Sequence, residues 1–309
     1  MHVSHYRVRC AAGEAVYWRR KPGGWHRMLT ASANATPDEI HIGARRQVSG
    51  QQWAEVWRAR ELTWLVAKRE VQLRYQHSVA GIGWAILQPV ITVLVLTAFQ
   101  VLFGRRTVDR VPYPLYAMMG LVPWTFFGHA LNQCSNSILK HTSIVKKVYF
   151  PLLVFPMAAV IAAAVDFVVA LPLVGLLMLY YGYHPTLLLL LLPLFVLELV
   201  LFATGSGIWI ALLNTRYRDT ANALPFVMQL WFLLTPIVYS ASQVPDRWRI
   251  LVGMNPMVGL LEGFRWTLCA EAPADLGIWV AMSIFWTAAL LGSGLAVWFR
   301  QHETLRELN

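Results

Sequence analysis

Charge is scarce in this sequence. Asp, Glu, Lys and Arg together make up 14% of its 309 residues, whereas 57% are apolar and the mean hydropathy is +0.49. A soluble globular chain carries about 25% charged residues, so this composition excludes an ordinary water-facing surface. Cysteine is scarcer still. Cys10, Cys134 and Cys269 stand far apart, which excludes a disulfide framework and a zinc site. The nine histidines fall without metal-ligand spacing. The chain has no GxxxxGK[ST] loop, no GxGxxG opening a helix and no Ser/His/Asp arrangement. No catalytic residue, bound metal or cofactor is therefore expected on this chain, and no nucleic-acid partner. The first fifty residues hold no apolar core of signal-peptide length, so the first membrane span is expected to serve as the insertion signal.

What the chain has instead is long uncharged runs. Trp84 to Phe103 is twenty residues without a charge, and at ~1.5 Å per residue a helix of that length matches the ~30 Å hydrocarbon core of a bilayer. The pattern recurs to give six expected spans: Trp84–Phe103, Leu115–Ile138, Phe150–Tyr181, Thr186–Leu213, Asn222–Tyr239 and Leu276–Phe299. The fold class read from this is an all-α membrane protein. Residues 1–50, with Pro22-Gly23-Gly24 and the stretch to Pro37 as breakers, read as an irregular basic tail. Residues 51–80 read as an amphipathic helix at the membrane interface, with Trp53, Trp57, Arg60, Trp64 and Val71 near one face. Residues 81–309 form the six-span domain. Pro245, Gly253 and Asn255-Pro256 punctuate two short helices between spans five and six.

Orientation follows from the basic residues. The segment before the first span carries thirteen Lys/Arg against six Asp/Glu. With the N-terminus inside, Lys140, Lys146, Lys147, Arg216, Arg218, Arg300 and Arg306 are also inside. Arg105, Arg106, Arg110, Arg247, Arg249 and Arg265 are outside. The asymmetry predicts that both termini are cytoplasmic.

Three spans carry polar stripes. His129, Asn132, Gln133 and Asn136 stand at i, i+3, i+4 and i+7, while Trp84, Gln88 and Thr92 stand at i, i+4 and i+8. Span five adds Asn222, Phe226 and Gln229. Amides with aromatics along one helix face suit a sugar chain, whose C–H faces pack on rings while its hydroxyls exchange hydrogen bonds. Interhelical packing is the competing account of each stripe. Asp166 and Glu198 are acids inside spans, each costing ~2.5–3.5 kcal/mol or more if charged and unpaired. Both are expected to face protein, protonated or hydrogen-bonded to amides. Lys68, Arg69 and Arg74, just before span one, are placed to meet an anionic headgroup at the inner leaflet.

Several short motifs together resemble one family. They include Arg74-Tyr75-Gln76-His77-Ser78, Gly81-Ile82-Gly83-Trp84 with Gln88-Pro89, and Gly120-Leu121-Val122-Pro123-Trp124 with Phe126-Phe127. Lys146-Lys147-Val148-Tyr149-Phe150-Pro151, Asn214-Thr215-Arg216-Tyr217-Arg218-Asp219, Pro236-Ile237-Val238-Tyr239, and Asn255-Pro256 with Glu262-Gly263-Phe264-Arg265 continue the pattern. The combination resembles the permeases that export O-antigen, capsule and teichoic-acid polysaccharides with an ABC ATPase. It covers about residues 52–309 and leaves residues 1–27 without a counterpart.

The resemblance implies a homodimer in the bacterial inner membrane, joined to two copies of an ABC ATPase that binds ATP and Mg. It implies a substrate polysaccharide, O-antigen first, carried on undecaprenyl diphosphate. On this reading the headgroup meets Lys68, Arg69 and Arg74, and the glycan follows Trp84, Gln88, Asn132, Gln133, Phe226 and Gln229. The inner loop Leu139–Tyr149, with Lys140, Lys146, Lys147 and Tyr149, docks the ATPase. The outer helices, with Arg247, Trp248, Asn255, Glu262 and Arg265, form a gate. The alternatives are an ABC permease for drugs or free lipids, which predicts an apolar cavity without amide stripes, and a membrane glycosyltransferase or polymerase, which predicts catalytic acids in a sizeable loop.

Overall fold

The computed structural model describes residues 6–11, 14–21, 24–31, 59–76, 81–104, 107–108, 110–141 and 152–307. The chain divides into two compact units, Met1–Gln47 and Val48–Asn309.

The first unit corrects the expectation of an irregular tail. Strands β1 (Tyr6–Ala11), β2 (Glu14–Lys21) and β3 (Gly24–Ala31) pair antiparallel in the order β1-β2-β3. Tyr6 is opposite Arg19 and Cys10 opposite Ala15, and Lys21 is opposite Gly24. Pro22-Gly23-Gly24, read above as a breaker in an irregular segment, falls at the boundary of two strands, with Gly24 the first residue of β3. The period-two alternation of Tyr6, Val8 and Cys10 with Arg7 and Arg9 fits a strand. It is short and rich in charge, which hides it in a hydropathy reading.

The second unit is helical. Its first described helix, α1 (Arg60–Tyr75), packs on a later helix through Thr63 and Ala67 and leaves Trp64, Leu65 and Leu73 exposed. A single turn at Gly81–Gly83 leads into α2 (Trp84–Leu102), of which only Pro89 and Val93 are buried. A two-stranded ribbon, β4 (Thr107–Val108) and β5 (Val111–Pro112), precedes α3 (Tyr113–Lys140). Then follow α4 (Val154–Tyr180), a 3-10 stretch at Leu187–Leu191, α5 (Leu192–Arg216) and α6 (Thr220–Leu234). The short helices α7 (Asp246–Gly253) and α8 (Pro256–Cys269) and the long α9 (Leu276–Glu307) complete the unit.

Among the described residues, four stretches are long and apolar enough to cross a membrane: 81–102, 154–180, 187–216 and 276–300. They correspond to expected spans one, three, four and six. The other two expected spans behave differently. Helix α3 has the length, 28 residues or about 42 Å, but not the hydropathy, because it lies at the centre of the unit. Nineteen of its residues are buried, and α2, α4, α5, α6 and α8 all pack against it. A helix wrapped by helices meets little lipid and can carry amides. The fifth expected span stops early. Helix α6 ends at Leu234, 15 residues or about 22 Å long, where Pro236 cannot supply the next helical N–H. Residues 235–239 continue without helix and present their carbonyls to neighbours.

The two short helices occur where the punctuation puts them, but α8 is an interior element, with eleven of its fourteen residues buried. Gly259 and Gly263 explain how it gets inside. A Cβ at Gly259 would strike the Trp279 carbonyl on α9, and one at Gly263 the Phe195 ring on α5. The two glycines thus admit two different helices.

Candidate functional site

Three helices and the end of a fourth converge on a pocket of about 320 Å³. Arg74 and Tyr75 come from the last turn of α1. Trp84, Ala85 and Gln88 come from the first two turns of α2, His129, Asn132 and Gln133 from α3, and Asp166 from α4. The helical spacing read from the sequence has a direct consequence here, because i, i+3 and i+4 on α3 face i and i+4 on α2. Four of the six residues expected along a glycan path, Trp84, Gln88, Asn132 and Gln133, therefore share one cavity.

An ion-pair cluster lines one side of the pocket. Arg74 Nη1 donates to Asp166 Oδ2, and Tyr75 Oη donates to Asp166 Oδ1. His129 Nδ1 lies 3.8 Å from Oδ2. The Arg74 side chain is 28% exposed and that of Asp166 9%. Asp166 faces protein as expected, but its partners are a cation and a phenol rather than amides. Asn132 Nδ2 donates to the Gly128 carbonyl at 2.9 Å. Gln133 Oε1 is buried and accepts no hydrogen bond among the described residues, so an acceptor at the pocket stands ready for a hydroxyl or amide donor. The half-exposed ring of Trp84 supplies an apolar face. Rings, amides and an arginine in one cavity can hold a hydroxyl-rich ligand that also carries negative charge.

The other expected residues lie elsewhere. Lys68 and Arg69 are exposed on α1 and do not line the pocket. Phe226 and Gln229 are exposed on α6, because Leu224 and Met228 are the residues that face inward, with Met228 beside Gly128 of α3. The α6 stripe therefore points away from the pocket within this chain. Lys140 is exposed at the end of α3, while Lys146, Lys147 and Tyr149 lie outside the described residues. Near that end, burial pushes the Glu70 carboxyl of α1 up from its ordinary value. His141, Lys140 and Arg74 pull it back down.

A second polar cluster lies ~20 Å further along α3, thirteen positions from His129 to Tyr116. Arg265 and Glu262 of α8 are 5% and 8% exposed, paired at 2.8 Å. Arg265 also donates to the Tyr116 hydroxyl at 2.7 Å and to the Pro236 and Ile237 carbonyls at 2.8 and 3.3 Å. Its guanidinium lies 3.7 Å from the Tyr116 ring centroid. Gly120 makes the room, since a Cβ there would stand 2.6 Å from Arg265 Nη2. Asn255 is a second tie. Its Oδ1 caps α8 at Met257 N and accepts from Trp231 Nε1, while Nδ2 donates to Thr235 Oγ1. These contacts join α8 to α6 and to the segment after it. Arg247 and Trp248 are exposed on α7, away from both ties.

Between the two clusters, Trp124 and Phe127 of α3 pack with Trp231, Phe232 and Phe202, at centroid separations of 5.0 to 6.1 Å for their pairs. Between α5 and α9, Ser283 Oγ donates to Glu198 Oε1 at 2.5 Å. Glu198 thus also faces protein, bonded to a hydroxyl rather than to an amide. No group of three or more His, Cys, Asp and Glu able to hold a metal occurs among the described residues.

The sequence missed the pairing of Arg74 with Asp166, which are 92 positions apart. The only signal available was the cost of an unpaired acid within a span, which requires a partner but does not name it.

Comparison with known proteins adds a frame. The family described as ABC-2 type transporter matches residues 61–269. The chain is 29% identical over 213 residues to the O-antigen export system permease protein RfbA of Myxococcus xanthus, covering 68% of this chain and 81% of that protein. It is 26% identical over 206 residues to the RfbA of Klebsiella pneumoniae, covering 66% and 79%. Against the polysialic acid transport protein KpsM of Escherichia coli it is 22% identical over 242 residues, covering 77% and 92%.

Proposed function

Because the chain belongs to the ABC-2 type transporter membrane family, and is therefore a multi-pass membrane protein of a transport rather than a catalytic family, we propose that it exports a polysaccharide. In this reading the substrate is built on undecaprenyl diphosphate, with O-antigen as the first candidate, and crosses the bacterial inner membrane. ATP and Mg are bound by two copies of a separate ABC ATPase. The observation that carries the reading is the pocket, where aromatic and amide side chains of α2 and α3 stand beside the Arg74 cluster. A cavity for drugs or free lipids would be lined by apolar groups alone.

Two copies of the chain, each with six spans and both termini in the cytoplasm, form the transport unit. The four apolar stretches account for four spans, and α3 and α6 supply the others. Helix α6 completes its crossing with the non-helical residues 235–239, whose carbonyls find donors within the protein, as irregular backbone at membrane depth must. The exposed faces of α2 and α6, including Phe226 and Gln229, line the path opposite the second copy. Lys68 and Arg69 attract the anionic headgroup. Lys140, Lys146, Lys147 and Tyr149 face the ATPase, and the α7–α8 segment closes the outer side.

The test is deletion of the gene in the bacterium that carries it. Surface polysaccharide should disappear while its lipid-linked form accumulates inside, and the tagged protein should co-purify with an ABC ATPase. Unchanged surface polysaccharide after deletion would remove the reading.

A further inference from the structure

The Asp166 carboxylate has more donors around it than holding α1 against α4 requires. Thr63 and Ala67 already form a buried seam for α1, which packs on α4. Yet two consecutive residues at the end of α1, Arg74 and Tyr75, both turn their side chains to this one acid, with His129 3.8 Å away. Guanidinium, phenol and imidazole converging on one point are a donor set suited to phosphoryl oxygens, which accept charge-assisted hydrogen bonds from several directions. The point also borders open space. Arg74, Tyr75, His129 and Asp166 all line the cavity of about 320 Å³, and the Arg74 side chain is 28% exposed.

We infer that this cluster is a phosphate-binding cradle occupied by the protein's own acid. Asp166 holds the place that an oxygen of an incoming phosphate or diphosphate takes, and Arg74 and Tyr75 change partner when that anion arrives. A diphosphate carries more charge and more acceptor oxygens than one carboxylate, so it competes for Arg74. Asp166 keeps His129 as a neighbour after the exchange. The acid is thus a positioning residue: it aims the arginine and keeps the cradle from capturing weaker anions. The inference rests on the proposed lipid-linked substrate only for the source of the anion.

The experiment uses the full-length protein in nanodiscs of phosphatidylcholine, titrated with inorganic pyrophosphate and with farnesyl diphosphate. Asp166→Asn removes the competing charge and keeps the side chain's shape. It should bind pyrophosphate on the order of tenfold more tightly than the wild type, since a like charge a few ångströms away is gone. The double variant Arg74→Gln/Asp166→Asn leaves no charge unpaired and should bind neither probe. Tighter binding of farnesyl diphosphate than of pyrophosphate assigns the anion to a lipid headgroup, and equal affinities assign the cradle to phosphate alone. Unchanged affinity in Asp166→Asn, or binding that survives in the double variant, overturns the cradle. Should Asp166→Asn not give monodisperse protein, Asp166→Ser makes the same comparison. Binding is read without transport, so a negative result leaves the export proposal standing. Loss of the export reading with binding intact strikes that proposal alone.

Discussion

Arg265–Glu262 and Arg74–Asp166 are arginine–acid pairs of similar chemistry in different surroundings. Arg265 and Glu262 sit one helical turn apart on α8, 5% and 8% exposed, and the arginine is engaged by a hydroxyl, two carbonyls and an aromatic face. Arg74 and Asp166 come from different helices and border a cavity, with the arginine 28% exposed. The first pair ties three segments together: α8, the start of α3 and residues 235–239. The second joins two helices at a point that a ligand can reach. Removing one partner of a sealed pair strands a charge, whereas water can replace a partner in an open pair. The difference separates a fixed joint from an exchangeable one.

The largest effect that tests this contrast is expected from Arg265→Met. It removes the cation paired with the Glu262 carboxylate and the donor to the Pro236 and Ile237 carbonyls, at a cost of about 3–5 kcal/mol. Thermal unfolding in detergent, read with the size-exclusion profile, should show a strongly destabilised or aggregated protein. Asn255→Ala comes next. It removes the α8 cap and the bonds to Trp231 and Thr235, and should cost about 1–2 kcal/mol with the protein still folded. Asp166→Asn should be the mildest for stability, because the amide oxygen still accepts from Tyr75 and water reaches the part-exposed Arg74, while surface polysaccharide in a complemented deletion strain falls. If Asp166→Asn melts as early as Arg265→Met, both pairs are joints and the contrast disappears.

The elements that sequence revealed are those whose physics is one-dimensional. Long apolar runs with few charges are helices at 81–102, 154–180, 187–216 and 276–300, and Asn255-Pro256 caps α8 as such a pair does. The stripe on α3 meets the stripe on α2, each running along one face at the helical period. Spacing along one helix does not say where the neighbouring helix lies, however. Phe226 and Gln229 share a face of α6, but Leu224 and Met228 take the inward side, so the stripe faces out. Arg74 and Asp166 illustrate the same limit, as a burial cost demands a partner without naming it. The strands at 6–31 escaped for another reason: hydropathy is a poor guide where basic residues are interleaved with apolar and aromatic ones.

Helix α3 has a consequence for how the protein is made. Its apolar surface faces other helices, and its polar stripe, which lines the pocket, carries His129, Asn132 and Gln133. A segment of that kind gains little from lipid before its neighbours are present, so it is a poor candidate to leave the translocon alone. Helix α2 precedes it, but α4, α5, α6 and α8, which cover most of it, are synthesised afterwards. In the proposed six-span arrangement, entering the bilayer and packing into the protein are for this helix one event that waits for later parts of the chain. A substitution that loosens α4 or α8 would then show up as a topology error during synthesis, before any defect in the finished transporter could be measured.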